Sequence, residues 1–200
     1  ELQIKLRNLD SMTNSVSNIH GVYRAHNTLY TVMTYNVGCS YDQKEDDSLN
    51  SLFKVTRSIA KAIYEYHKIG LLHLDIKPSN VYVLPETDES VILFDFDSVV
   101  SKSDIRSGKI RCYSYTKEWA APEQLQYKTS KISEQTDIYA IGAIVFRRIF
   151  NRSVNFADRM KNATYEYDYN NKLLENINPE VFVLLTEFFN KTLTSNPADR

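Results

Sequence analysis

The stretch "HLDIKPSNVYV", residues 73–83, sets His73, Asp75, Lys77 and Asn80 at fixed offsets around Pro78, directly ahead of a β-branched and aromatic run. Four polar groups of different chemistry just before a buried-looking strand admit two readings. One is a polar turn leading into an edge strand. The other is a catalytic loop, with a carboxylate, an ammonium and a carboxamide gathered on one short segment. Taken singly, Asp75 is a turn cap, Lys77 a solvated charge and Asn80 an ordinary turn residue. The rest of the chain decides between the readings.

Downstream, "VYVL" (81–84) and "VILF" (91–94) flank the turn-rich "PETDES" and predict a β-hairpin. Pairing about the middle of the turn, between Thr87 and Asp88, sets Val81 opposite Phe94 and Asn80 opposite Asp95. That register brings a carboxamide and a carboxylate to one end of the ribbon. Residues 97–117 are rich in Ser, Lys and Arg without a clear period, which predicts a long loop. Upstream, Leu49, Leu52, Val55, Ile59, Ile63 and Tyr66 keep helical spacing, with Ser48 as cap and Gly70 as terminator. "SEQTDIYAIGAIVFRRIF" is apolar almost all round, the mark of a buried central helix. "NPEVFVLLTEFFNKTL" (178–193) predicts a final helix capped by Asn178, with Pro179 in its first turn. "GVYRAHNTLYTVMTY" predicts two strands about an Ala25–Thr28 turn, and "ELQIKLRNL" suits a helix moderately. A few strands followed mostly by helices imply an α+β fold.

Composition excludes several classes. Net charge is −1 over 200 residues, with 42% apolar and 24% charged, so no global field draws the chain to nucleic acid or an anionic membrane. No basic stripe interleaved with aromatics suggests nucleic-acid binding. Cys39 and Cys112 are far apart, in no zinc or disulfide pattern, which fits a reducing compartment. The longest apolar run, Ile138 to Phe146, is too short to span a bilayer. The start at Glu1 without a Met predicts a piece of something longer. The 14 tyrosines are read as packing residues.

Five motifs in order now carry a resemblance. "HLDIKPSN" (73–80), "DFD" (95–97), "YTKEWAAPE" (115–123), "DIYAIG" (137–142) and "NPADR" (196–200) together resemble the C-terminal lobe of a eukaryotic-type serine/threonine protein kinase domain. The resemblance implies a kinase-like α+β fold. Residues 1–35 would be a remnant of the small lobe with a helix and two strands, 36–47 the hinge and connector, and 48–200 the helical lobe, ending before its last helix. It also implies transfer of the γ-phosphate of Mg·ATP to Ser or Thr of a protein substrate, in a cytoplasmic protein or domain.

The residue roles follow from that resemblance. Asp75 would orient the acceptor hydroxyl and Lys77 would lie against the γ-phosphate. Thr116 would bridge the two. Asn80 and Asp95 would hold Mg²⁺ through oxygen. Met33 matches the position behind adenine, Tyr35 begins the hinge that runs to Gly38, and Tyr82 would lie beneath adenine. His73 and Asp137 would tie the loop to the central helix, and Glu123 and Arg200 would form a buried pair.

The chain also departs from the pattern. The glycine-rich phosphate loop and the strand lysine are absent from it, so the chain alone is expected to be inactive or weakly active. The strands between Gly21 and Tyr35 would then offer an exposed surface for dimerisation. Leu74 stands where many members carry an arginine that gathers a phosphorylated loop, and leucine cannot pair with phosphate. Asp97 replaces a glycine whose backbone freedom the family uses. Two rival readings stand beside the enzyme. A kinase-like binding or regulatory domain without turnover is favoured by "DFD". A small-molecule phosphotransferase would not be expected to keep "KPSN" together with "APE" and "DIYAIG".

Overall fold

A computed structural model of the chain describes residues 19–45, 48–85, 90–110, 113–155, 174 and 177–200. The predicted helix over 1–9 lies outside them, as does Glu1. Helix α1 (Leu49–Lys68) forms as its spacing requires, burying Leu52, Val55, Ile59, Ile63 and Tyr66 along one face. The Ser48 hydroxyl accepts the Ser51 N–H at 3.2 Å, closing one of the open donors of the first turn. Gly70 ends the helix at φ +77°, a backbone that a β-carbon would disfavour. Helix α4 (Glu134–Phe150) is buried on nearly every side and packs on α1 and on the last helix, α5 (Pro179–Thr192). Asn178 caps α5 by accepting the Glu180 N–H at 2.9 Å. Phe146 and Phe189 meet edge-on across the α4–α5 seam, with ring centres 5.6 Å apart.

Strands β1 (Ile19–Ala25) and β2 (Thr28–Met33) form an antiparallel hairpin. His26 and Asn27 both have positive φ, 46° and 62°, the backbone that a two-residue hairpin turn demands. A three-stranded antiparallel sheet follows in the order β3 (Cys39–Ser40), β5 (Val81–Val83), β6 (Val91–Leu93). The region expected as a bare connector therefore contributes a short strand. Gly38 permits it, since a β-carbon there would collide with the Val83 carbonyl.

The β5–β6 register differs by one residue from the expected pairing. Val81 faces Leu93 and Val83 faces Val91. Flanking hydrogen bonds join Leu84 N–H to the Ser90 carbonyl and Phe94 N–H to the Asn80 carbonyl, both at 2.9 Å. Asn80 thus faces Phe94 rather than Asp95. Such a slip would reverse every side chain of a regular strand. Asp95 leaves the strand instead, at φ 64° and ψ 77° in the left-handed region, which aspartate tolerates better than most residues.

The stretch 97–117 is not the continuous loop expected from its composition. A tight turn spans Phe96–Ser98, strand β7 (Val100–Ser101) pairs with β4 (Leu71–Leu72), and the five-residue helix α2 (Lys102–Arg106) follows. These elements are too short to show a period. Burial of Val99, Val100 and Ile105 and the Ser101 cap on α2 hold them. A second apolar cluster forms there, from Leu72, Leu74, Val100, Ile105 and Ile132, with Ile110 and Tyr113 packed on it.

Two buried carboxylates fasten these parts to α4. Asp137 accepts the backbone N–H of His73 at 3.0 Å and of Leu74 at 2.8 Å, and the His67 Nε2–H at 2.8 Å. Glu123, on the short helix α3 (Pro122–Leu125), meets both terminal nitrogens of Arg200 end-on at 2.7 and 2.9 Å and accepts the Thr136 hydroxyl at 2.9 Å. The remaining guanidinium donors of Arg200 reach the carbonyls of Thr194, Gln135 and Ser195, so all five of its N–H groups have acceptors. The His73 ring donates from Nε2 to the Phe94 carbonyl at 3.2 Å and accepts the Asp75 N–H at Nδ1. That tautomer is neutral. Burial pushes the His73 pKa below the usual histidine range, against the opposing pull of Asp137 and Asp75.

Two outcomes test this packing. A β-carbon on Gly142 would strike the Thr192 side chain, so Gly142→Ala should destabilise by about 1–3 kcal/mol through overpacking, read from the urea midpoint. Because the His73 pKa is lowered on folding, the unfolded chain takes up a proton that the folded one refuses as pH falls through about 6.5. Stability should therefore decline between pH 7.5 and 5.5, and His73→Leu should flatten that decline.

Candidate active site

Asp75 lies on the segment between β4 and β5, immediately after the two backbone amides that Asp137 holds. Its side chain is 6% exposed. One carboxylate oxygen accepts the Thr116 N–H at 2.7 Å, and the other accepts the Lys77 ammonium at 2.8 Å. Lys77 also donates to the Thr116 hydroxyl at 2.9 Å, closing a triangle of Asp75, Lys77 and Thr116. A carboxylate has about four lone-pair sites. Two are used, so the group stays able to accept a hydrogen bond from a hydroxyl brought to it. The structure thus joins three residues that the sequence separates by up to 41 positions.

Asn80 closes the tight turn Pro78–Asn80, which the fixed φ of Pro78 favours. Its amide nitrogen donates to the Asp75 carbonyl at 2.9 Å. A carbonyl can only accept, so this bond fixes the amide orientation and leaves Asn80 Oδ1 as the outward acceptor. Asp95 is exposed at the same end of the β5–β6 ribbon, and its charge is felt at His73. Asn80 and Asp95 together supply hard oxygen donors of the kind a small divalent cation takes alongside water and phosphate. Asp97 does not adopt positive φ. Loss of a glycine at 97 therefore creates no steric conflict here, because the left-handed residue is Asp95.

Tyr82 is anchored beside this end. Its hydroxyl donates to the Gly38 carbonyl at 2.7 Å, and its ring meets Phe94 edge-on at 5.5 Å. Met33 ends β2 and is half-buried, whereas Tyr35 is 85% exposed. A large apolar groove of about 610 Å³ between α1, α4 and α5, lined in part by Phe53, Val145 and Leu184, contains none of these residues.

Residues that the sequence did not single out complete the support. His67 turns from the end of α1 onto Asp137. Gln124 accepts the Ala121 N–H at 2.9 Å and donates to the Leu74 carbonyl at 2.8 Å. Its side chain caps the N-terminus of α3 from the third helical position, but with alanine at the cap no S/T-x-x-Q signature marked it in the sequence. Leu74 carries a left-handed backbone, φ 66°, held from both sides by Asp137 and Gln124.

Residues 1–200 match the family model described as "Protein kinase domain". The chain is 26% identical over 198 residues to "Serine/threonine-protein kinase 17A" of Oryctolagus cuniculus, covering 92% of this chain and 48% of that protein. It is 29% identical over 122 residues to "Myosin light chain kinase, smooth muscle" of Gallus gallus, covering 58% of this chain and 6% of the relative. It is 24% identical over 192 residues to "Myosin light chain kinase 3" of Danio rerio, covering 91% and 26%. The chain thus spans about half or less of the length of these relatives. With the match running the whole length of the sequence, the chain belongs to the protein kinase domain family.

Proposed function

We propose that the protein of which this chain is part transfers the γ-phosphate of ATP to Ser or Thr hydroxyls of protein substrates. The triangle of Asp75, Lys77 and Thr116 carries the reading. Phosphoryl transfer through a loose transition state needs little covalent help from the protein, and its catalysis is mostly positioning and charge stabilisation. Asp75 accepts the hydrogen bond of the incoming hydroxyl and aims it, then takes the proton as the new oxygen–phosphorus bond forms and the bond from the γ-phosphorus to the β,γ-bridging oxygen breaks, releasing ADP. Lys77 holds Asp75 in place and offers its ammonium to the transferring group. The Thr116 hydroxyl fixes Lys77 in that position, a combination that a serine/threonine-specific site would use.

Asn80 Oδ1 and the Asp95 carboxylate would hold Mg²⁺, which when bound neutralises charge on the nucleotide phosphates. Tyr82, tethered to Gly38, forms the floor beneath the base, with Met33 behind it and the backbone from Tyr35 to Gly38 along its edge. The names of the relatives support protein substrates. Among the described residues no helix is long and apolar enough to cross a membrane.

The experiment is a radiolabel transfer assay on the full-length protein, with identification of the labelled amino acids. Phosphoserine or phosphothreonine should form. Asp75→Asn should lower kcat by roughly 10²–10⁴-fold while the affinity for Mg·ATP, measured by calorimetry, stays unchanged. Lys77→Met should lower kcat as well. Mg·ATP binding with no transfer by the unaltered protein would replace the enzyme with a nucleotide-binding domain.

A further inference from the structure

The described segment that leads to Thr116 is seated on apolar packing rather than on charge. Gly108, at φ +68°, turns the chain back on itself. The Asp104 carbonyl then collects the N–H groups of Lys109 and Ile110 at 3.0 and 3.3 Å, which lays Ile110 beside the seat. Ile110 and Tyr113 pack on Leu72, Leu74, Val100 and Ile105. The floor of that seat is rigid. Leu72 is paired to Val100 in the β4–β7 ladder, and the Leu74 backbone is bonded by Asp137 on one side and Gln124 on the other. Tyr113 is three residues ahead of Thr116, whose N–H reaches Asp75 at 2.7 Å.

The described side chains that make up the seat are aliphatic or aromatic. Of the cations on α2 and the turn after it, Lys102 pairs with Glu134 at 2.5 Å, Lys109 with Asp104 at 3.5 Å, and Arg106 is exposed to solvent. A phosphate driven into the seat would be buried against leucine and valine, which is costly.

We propose that Ile110 and Tyr113 are positioning residues: their apolar packing on the seat around Leu74 holds the Thr116 amide on Asp75 without need of a phosphorylated loop. The catalytic half of this rests on the role given to Asp75 above, whereas the packing half does not. The ring of Tyr113 supplies the contact, so phenylalanine serves in its place and alanine does not.

Amide hydrogen exchange and steady-state kinetics on the full-length protein test both halves. Tyr113→Ala should speed exchange of the Thr116 amide, and lower kcat, by about tenfold or more, with KM for ATP unchanged and α4 amides still protected. Tyr113→Phe should restore both quantities, and Ile110→Val should show a smaller loss in the same direction. Phosphatase treatment should alter neither. Thr116 exchange in Tyr113→Ala equal to that of the unaltered protein would overturn the proposal. So would dephosphorylation that by itself frees the Thr116 amide. If the unaltered protein transfers no phosphate, the enzyme reading fails while the exchange measurements still decide the packing.

Discussion

The site depends on one buried carboxylate. Asp137, in the first turn of the central helix, takes the N–H groups of His73 and Leu74 and the ring N–H of His67. An ionised carboxylate without such partners would be expensive to bury. With three donors and the partial positive charge of the α4 N-terminus it is well placed. Its bonds also fix the two residues before Asp75, including the left-handed turn at Leu74. That conformation costs a non-glycine residue about 1–2 kcal/mol and persists because Asp137 and Gln124 grip the peptide from either side.

The same helical turn serves three directions. Glu134 pairs with Lys102 of α2, Thr136 donates to Glu123 of α3, and Asp137 holds the loop of Asp75. Arg200 closes the arrangement from the far end of the chain, locked on Glu123 and lying over the Tyr139 ring. Removing one member of so buried a pair leaves the other charge uncompensated, typically a loss of about 3–5 kcal/mol. The helix is thus a scaffold whose apolar faces make the core while its first turn distributes the polar contacts.

Charge and apolar packing are divided cleanly around Asp75. On one side stand Lys77, Thr116 and Asn80, all hydrogen-bonded to Asp75. Behind them lies the apolar seat of Leu72, Leu74 and Val100. The polar side presents acceptor and donor groups. The apolar side fixes the backbone that presents them.

Much of this was legible in the amino-acid order. Helices α1 and α5 follow from periodicity and from the caps at Ser48 and Asn178, because local spacing decides which face is buried, and α4 follows from being apolar almost all round. The offsets among Asp75, Lys77 and Asn80 within one proline-containing segment already marked the candidate site, and ordered motifs pointed to Asp95, Thr116, Asp137, Glu123 and Arg200. Tertiary structure decided the rest. The β5–β6 register was set by hydrogen bonds at both ends of the ribbon and not by the symmetry of its turn. The short elements within 96–106 hold only because β4 and the apolar seat cover them. His67 reached Asp137 across 70 residues, and the left-handed residue proved to be Asp95 rather than the one at 97. A sequence states which groups are available and which local periods they keep. Which of them meet depends on distant backbone that must be folded before the contact exists.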